Sequence, residues 1–413
     1  MPAFRIRFAP VLLILPLLGL SACGSTSKDA ARGGSVVGDS LTVYSGLPLR
    51  GPFAERMRSL VNGEKLAISD AGGKVGDWTI KFVSLDDAAG PDGWDPDVTA
   101  DNARTAARDP TTIAYLGDAD FGATAVSLPI LNEGGVAQIS PASTYPGFTG
   151  TTGATEKGEP QKYQPSGVPT FARVVPSDIV EGQAQALYQR REGCTRTYVL
   201  QDKSVDGRAQ AAAVIRALPA SAIALAGDDG FDLGKADQTG TAQNVAATHP
   251  DCVFVGAGSS AAPTALWQAL VKQLPAARIY GPADLARPEF LTTLSAVEQA
   301  ATRLTQPTLP RSLLNARALD VLRRYRDRFA APAPQEMLYG YEAMALTLET
   351  LRRAGDRANE RTYVAELVRR TPEHDSVLGR YAIRPSGDTT LRRFSGYRVA
   401  DGDVAFDRVL MNR

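Results

Sequence analysis

The stretch that decides the fold is residues 112–144, TIAYLGDADFGATAVSLPILNEGGVAQISPAST. An apolar run at 113–116 predicts a buried strand, small residues at 117–124 predict a loop before a short helix, and 136–139 predicts a second strand. In parallel α/β sheets, ligands bind beyond the carboxyl ends of the strands. The loops after these two strands are rich in backbone N–H groups and hydroxyls, and they predict a site for a small anion such as a carboxylate. Ordinary strand-to-helix turns are the alternative.

Composition limits the class of protein. A chain of 413 residues predicts two domains or one bilobed protein. The 44% hydrophobic and 22% charged residues are typical of a globular protein. The 45 basic side chains are balanced by 45 acidic ones, so the chain lacks the basic excess of a nucleic-acid-binding protein.

The N-terminus has the pattern of an export signal. Arg5 and Arg7 precede an apolar run at 8–20, which is too short for a membrane span and typical of a signal peptide. The run ends in LSAC at 20–23, which resembles the bacterial lipobox, where cleavage before the cysteine exposes it for diacylglycerol attachment. We therefore expect a lipoprotein signal peptide at 1–22, lipidation of Cys23 and a flexible tether at 23–40. A plain secretory signal with a chance cysteine is the alternative.

Strand and helix patterns alternate along the chain in two separate blocks, one before and one after residue 173. This predicts the α/β class, with two doubly wound parallel-sheet lobes and a cleft between them. Helices late in the chain and a final β-like region indicate that both lobes are discontinuous and joined by a hinge. We assign 41–172 plus 306–376 to lobe one and 173–305 plus 377–413 to lobe two.

Two cysteines other than Cys23 precede predicted strands of the second block. Cys194 comes before 195–200, and Cys252 comes before 253–255. If these are the first and third strands of one sheet, they are neighbours and both cysteines lie at one edge. A disulfide suits an exported protein. Two buried free thiols are the alternative.

Metal and enzyme signatures are weak. Five aspartates lie within 86–97, but the loop lacks the spacing of a calcium loop, so helix capping is the better interpretation and we expect no metal. The sequence contains only His249 and His374, with no nucleophile elbow, zinc-protease helix or P-loop. We therefore expect no cofactor and no enzymatic activity, and an enzyme that uses carboxylates alone is a minor alternative.

Short motifs spread over 41–409 carry a family resemblance. They are Gly51-Pro52-x-Ala54, Asn62-Gly63, Asp86-Asp87, Ile139-Ser140-Pro141-Ala142-x-Thr144, Arg173-x-x-Pro176-Ser177-Asp178, Asp202-Lys203, Gly281-Pro282 and Tyr339-Gly340-Tyr341-Glu342-Ala343. With them the chain resembles the periplasmic binding proteins of fold type I, specifically the leucine/isoleucine/valine-binding group of extracytoplasmic solute receptors.

The resemblance implies a ligand site in the cleft. In that family two loops of lobe one hold the ligand's α-carboxylate. Ala142 and Thr144 match the family directly, and Phe121, Gly122 and Ser143 are the other candidate ligand-binding residues of these two loops. The family's hydroxyl residue is replaced by Phe121, which would supply an apolar wall.

Three further positions depart from the family's pattern. A family aromatic falls near Arg56, a family tyrosine falls on Asp206, and the acid expected after Gly281-Pro282 is replaced by Ala283 with Asp284 next to it. In the cleft, Arg56 would bind a carboxylate, and Asp206 or Asp284 would accept an ammonium or amide. The alternatives are a solvent-facing arginine, a helix cap and a turn residue, respectively.

Ser259 and Ser260 follow the third strand of lobe two, where they would donate hydrogen bonds to the ligand. The sequence thus predicts a monomeric lipoprotein on the outer face of the cell membrane. By hinge closure it would deliver an amino acid, amide or small carboxylate to the permease of an ATP-binding-cassette (ABC) importer. A lipid-anchored sensor that signals to a membrane partner is the alternative.

Overall fold

The computed structural model describes Met1 and residues 34–51, 53–90, 93–153, 155–258 and 262–412. The predicted signal peptide, Cys23 and most of the predicted tether lie outside these residues. Within the described part of the chain, no helix is long and apolar enough to cross a membrane.

The first block of the chain folds as predicted into alternating strands and helices. Its elements are β1 (Ser40–Leu47), α1 (Ala54–Asp70), β2 (Lys74–Val75), β3 (Trp78–Asp86), β4 (Ala88–Gly90), β5 (Gly93–Trp94), α2 (Pro96–Arg108), β6 (Thr112–Leu116), α3 (Phe121–Glu133), β7 (Ala137–Ser140) and β8 (Phe171–Arg173). Six of the described strands form one sheet in the order β2-β3-β1-β6-β7-β8. All pairs in it are parallel except β2 with β3.

The second block forms the other lobe. Its elements are α4 (Asp178–Arg191), β9 (Arg196–Gln201), α5 (Val205–Ala217), β10 (Ala224–Gly230), α6 (Thr239–Ala247), β11 (Cys252–Gly256), α7 (Thr264–Gln273), β12 (Arg278–Gly281), α8 (Pro288–Leu291), α9 (Ala296–Ala301) and β13 (Thr302–Gln306). Strands β9 to β13 pair in parallel in the order β10-β9-β11-β12-β13.

The last part of the chain contributes to both lobes. It contains α10 (Ala316–Phe329), α11 (Met337–Ala354), α12 (Arg361–Val368), β14 (His374–Ser376), β15 (Gly379–Tyr381), β16 (Arg393–Ala400) and β17 (Asp403–Asn412). The three helices pack on lobe one, whereas β16 and β17 extend the second sheet antiparallel beyond β13.

The boundary between the lobes differs from the prediction near the C-terminus. Val377, Leu378 and Tyr381 are buried in the same core as Leu41 and Leu60 of lobe one. The predicted start of the second segment of lobe two at residue 377 is therefore wrong. The chain reaches lobe two only at β16, because the β14–β15 hairpin packs its apolar side chains on lobe one.

The predicted tether also ends earlier than expected. Val36 is only 2% exposed and its N–H donates to the carbonyl of Asn359 at 2.8 Å. The Asn359 side chain returns a hydrogen bond to the Val36 carbonyl at 2.9 Å, and Ser35 forms a bridge with Glu360. Residues 35–40 thus belong to the folded lobe, since they bury an apolar side chain and pair their backbone.

Helix α1 is held close to α11 through two glycines. A Cβ at Gly63 would collide with the backbone of Met337, and a Cβ at Gly340 would collide with the backbone of Leu60. The close packing therefore requires glycine on both helices. Helix α1 begins at Ala54, beside the cleft.

The acidic stretch 86–97 caps a helix, as predicted. The Asp95 side chain accepts hydrogen bonds from the N–H groups of Asp97 at 2.9 Å and Val98 at 3.0 Å. Asp86 forms an ion pair with Arg50 at 2.6 Å. These contacts explain two of the five carboxylates without a metal ion.

A disulfide joins Cys194 and Cys252, with their Cα atoms 6.0 Å apart. The two cysteines meet because β9 and β11 are neighbours, as the first and third strands of this lobe were expected to be. Among the described residues, only Cys194, Asp251 and Cys252 cluster as a metal site would require. Both sulfurs of that cluster are already bonded to each other, so it does not indicate a metal site.

Candidate functional site

A cavity of about 450 Å³ lies between the lobes, beyond the carboxyl ends of β6 and β7. This size suits a small organic ligand. Its walls from lobe one are Pro48, Phe53, Arg56, Met57, Gly93, Trp94, Ala119, Asp120, Phe121, Ala142 and Thr144. Its walls from lobe two are Asp206, Ala262, Asp284, Arg287 and Glu289. A smaller cavity of about 80 Å³ adjoins it and shares Arg56, Ala142, Thr144 and Asp284.

Three aromatic side chains form the apolar side of the cavity: Phe53, Trp94 and Phe121. Phe121 is fixed by Tyr145, which meets it edge-on at 4.6 Å between ring centroids, and by Phe148. Trp94 lies at the end of the β4–β5 hairpin and packs against Gly122, where a Cβ would collide with the indole ring.

The loop after β7 is held rigid by its own hydroxyl and by a buried arginine. Ser140 Oγ accepts from the N–H groups of Ala142 at 3.2 Å and Ser143 at 2.8 Å. Arg173, which is fully buried, donates to the carbonyls of Ser143 at 2.9 Å and Tyr145 at 2.8 Å. The loop is thereby preorganised to present Ala142 and Thr144 to the cavity.

Two arginines line the cavity, one from each lobe. Arg56 is exposed on the first turn of α1, and its guanidinium forms no hydrogen bond or ion pair with any described residue. Arg287 of lobe two is buried and lies over the ring of Phe53 of lobe one, at 5.4 Å from its centroid. A guanidinium without a protein partner, such as that of Arg56, suits a carboxylate ligand.

Three aspartates line the cavity, and they differ in the hydrogen bonds that their carboxylates accept. Asp120 caps α3 through the N–H of Ala123 at 2.9 Å. Asp284 accepts from the Gln210 amide at 3.0 Å. Asp206 lies in the first turn of α5, and its carboxylate accepts no hydrogen bond from any described residue. Asp206 is not the helix cap, because the Ser204 hydroxyl caps α5 by accepting from the Gly207 N–H at 2.9 Å.

Burial in the cleft raises the pKa of all three aspartates. Burial raises the pKa of Asp120 to about 6. Burial also raises the pKa of Asp206 well above its ordinary value, and the nearby carboxylates of Asp178 and Asp284 raise it further. For Asp284 the rise due to burial is partly offset by the positive charges of Arg56 and Arg287. A bound cation would relieve this mutual repulsion.

The first turn of α4 connects the binding loops of the two lobes. The Asp178 N–H donates to the Thr144 carbonyl at 3.0 Å, on the lobe-one side. Glu181 accepts from the Ala283 N–H at 2.8 Å and from the Thr305 hydroxyl at 2.6 Å, on the lobe-two side. The first turn of α4 therefore contacts the binding loops of both lobes.

Comparison with known families identifies the protein class. The sequence model of the periplasmic binding protein family matches residues 46–403, most of the chain. The chain belongs to the periplasmic binding protein family. This confirms the family and the bilobed type I fold predicted from the sequence.

Solved structures share the fold of this periplasmic binding protein at low sequence identity. A leucine-binding protein from Thermotoga maritima has a TM-score of 0.72 at 20% identity, covering 89% of this chain and 98% of its own. A branched-chain amino acid transporter substrate-binding protein from Streptococcus pneumoniae, in complex with isoleucine, has a TM-score of 0.69 at 17% identity, covering 90% and 99%.

An ABC transporter solute-binding protein from Rhodopseudomonas palustris, in complex with 3,4-dihydroxybenzoic acid, has a TM-score of 0.67 at 17% identity. The match covers 90% of this chain and 96% of that one. No curated protein matches the chain.

The cavity of this periplasmic binding protein brings together most of the residues singled out from the sequence. Those that line it are Arg56, Phe121, Ala142, Thr144, Asp206 and Asp284. Ser143 and Gly122 do not line it. Ser143 is buried under the loop, and Gly122 instead makes room for Trp94. Ser259 and Ser260 lie outside the described residues.

Four functional candidates were missed by sequence reasoning: Phe53, Trp94, Asp120 and Arg287. Asp120 and Trp94 lie in stretches that had been singled out, after β6 and in the acidic loop. Their position after the end of a predicted strand was the sequence signal that could have identified them. Arg287 follows the short turn that begins at Ala283, and only the folded structure places it over Phe53.

Proposed function

We propose that this protein is a lipid-anchored, extracytoplasmic solute-binding protein that delivers a small carboxylate, amino-acid-like or amide ligand to an ABC importer. The observation that carries the proposal is a pair of opposite charges without partners in one cavity. The guanidinium of Arg56 in lobe one and the carboxylate of Asp206 in lobe two form no hydrogen bond or ion pair with described residues, and both residues line it. Such a pair suits a ligand that carries both an anionic and a cationic or amide group.

The mechanism is hinge closure around the ligand. The carboxylate binds first to lobe one, at Thr144 and Arg56. Asp206 and Asp284 of lobe two then engage the ammonium or amide, so that the closed state has the higher affinity. A micromolar ligand supplies about 8 kcal/mol for closing the lobes and holding the ligand.

The ligands of the structural neighbours support this site chemistry. Isoleucine and 3,4-dihydroxybenzoic acid, which are named for two of them, both carry a carboxylate. Those neighbours are named as binding proteins of transporters, in one case of an ABC transporter, which supports binding rather than catalysis here. The proposed partner is a permease in the membrane, and the proposed state is a monomer.

The anchoring proposal rests on the sequence before the folded lobe. The LSAC motif ends at Cys23, and the described chain enters lobe one at Ser35 and Val36. Between them lies a stretch rich in small and polar residues that would hold the lobes away from the outer face of the membrane. Metabolic labelling with a radioactive fatty acid tests this anchoring, and Cys23→Ser should abolish it.

Thermal unfolding of the purified protein tests the binding proposal. The panel contains amino acids, amides, aromatic acids and short-chain carboxylates. A true ligand at a hundred times its dissociation constant raises the free energy of unfolding by about 2.7 kcal/mol. We expect a clear rise in melting temperature with one chemical class. No rise with any member of the panel would contradict the proposed function.

A further inference from the structure

We infer that the ligand carries a second cationic group, an ammonium or guanidinium separate from its α-amino group, and that Asp206 binds this group. The inference rests on the proposed function and adds a substrate class to it. The ligand would then be a diamino or guanidino carboxylic acid.

The balance of charge in the cavity is the first observation. Four acidic side chains line it, Asp120, Asp206, Asp284 and Glu289, against the two arginines Arg56 and Arg287. The ligand's carboxylate would neutralise the positive charge of Arg56. An electrically neutral zwitterion would therefore leave the cavity with an excess of negative charge, and a ligand of net positive charge would balance part of it.

The second observation is that the two aspartates of lobe two differ in their hydrogen-bond and charge partners. Asp284 already has the Gln210 amide and the opposing charges of Arg56 and Arg287. The Asp206 carboxylate has no hydrogen bond to a described residue. The charged groups with the largest effects on it, Asp178, Asp284, Asp120 and Asp202, are acidic.

The two aspartates of lobe two belong to different elements. Asp284 lies in the turn 283–285, whereas Asp206 lies on α5. If Asp284 receives the α-ammonium, closure over an apolar side chain would bury Asp206 without a partner. Burying an unpaired carboxylate is costly, and a second cation on the ligand removes that cost.

The aromatic walls suit a cation on an apolar stem. Trp94 and Phe121 line the same cavity as Asp206. A ring face attracts an ammonium or guanidinium within about 6 Å of its centroid, and methylene groups pack well on aromatic surfaces. The fold already uses this interaction once in the cavity, between Arg287 and Phe53.

Matched ligand pairs test the inference by titration calorimetry on the purified protein. Lysine is compared with norleucine, which lacks the second ammonium, and arginine is compared with citrulline, which replaces the guanidinium by a neutral urea group. We expect lysine or arginine to bind at least about tenfold more tightly than its neutral counterpart. Equal or tighter binding of the neutral members would overturn the inference and leave the proposed function standing.

A substitution of Asp206 tests whether this residue causes the preference for the charged ligand. Asp206→Asn should reduce the charged-over-neutral preference to near unity. Asp228→Asn, which removes an exposed carboxylate of the same lobe away from the cavity, should keep the preference. A preference that survives Asp206→Asn would overturn the role of Asp206. Absence of binding by all four compounds and by the wider panel would instead overturn the proposed function itself.

Discussion

Arg287 of lobe two lies over the ring of Phe53 of lobe one, with 5.4 Å between the guanidinium carbon and the ring centroid. Both side chains line the ligand cavity, so this contact joins the lobes at the edge of the site. Burial lowers the pKa of Arg287, but Asp284 opposes that shift, and the guanidinium stays charged at neutral pH. The contact is therefore a cation–π interaction available to hold the lobes together around a ligand.

Phe53→Leu should speed ligand release. The substitution keeps an apolar side chain but removes the ring face, which is worth about 1 kcal/mol, so we expect about a fivefold faster dissociation. Stopped-flow fluorescence can follow release, with Trp94 in the cavity wall as the reporter. Phe329→Leu is the matched control, because it removes a similar contact with Arg328 outside the cavity. An unchanged dissociation rate in Phe53→Leu would show that this contact does not hold the lobes closed.

Glu64 should make stability depend on pH. It is fully buried on α1, and burial raises its pKa to about 8. In the unfolded chain the pKa is close to 4.3, so between about pH 4.5 and 8 the folded state holds a proton that the unfolded state has lost. The free energy of unfolding therefore falls as pH rises through this window.

Glu64→Gln should remove that contribution. We expect the free energy of unfolding of the variant to fall less between pH 5 and pH 8 than that of the wild type, by on the order of 2–4 kcal/mol. Urea denaturation at both pH values measures it. Glu55→Gln is the control, since Glu55 is exposed on the same helix. Identical pH dependence of wild type and Glu64→Gln would mean that Glu64 is charged in the folded protein.

Removal of the disulfide should lower stability without affecting the binding site. Cys194 and Cys252 are separated by 58 residues, and closing such a loop contributes about 4 kcal/mol in the chain-entropy model. The bridge lies where β9 and β11 begin, whereas Asp206 follows the other end of β9. The double variant Cys194→Ala, Cys252→Ala should thus unfold at lower urea concentration and keep its ligand affinity. A loss of affinity at unchanged stability would contradict this separation.

The alternation of strands and helices was sufficient to predict both sheets and their class. Buried parallel strands such as β6 and β11 are short apolar runs, which sequence patterns reveal well. The boundary at residue 377 was not predictable in this way. The β14–β15 hairpin resembles the β16–β17 hairpin in pattern, and only its packing with Tyr381 against lobe one decides which core it joins.

For the ligand site, the informative sequence signal was that a residue follows the end of a predicted strand. Thr144 and Phe121 follow β7 and β6, and the structure places both in the cavity. Arg287 and Phe53 are far apart in the sequence, and their contact depends on the relative placement of the lobes, which no local pattern encodes. Ser143 was predicted to bind the ligand together with Ala142 and Thr144. In the structure its N–H donates to the Ser140 hydroxyl oxygen, and Ser143 lies buried under the loop.

The most direct test of the account is a calorimetric titration of the ligand found by the panel against variants from both lobes. Thr144→Ala removes a hydroxyl from lobe one, and Asp284→Asn removes a charge from lobe two. We expect each to weaken binding by about tenfold or more while the unliganded protein stays folded. Tight binding to the wild type with unchanged affinity in both variants would show that the ligand does not bind between the lobes.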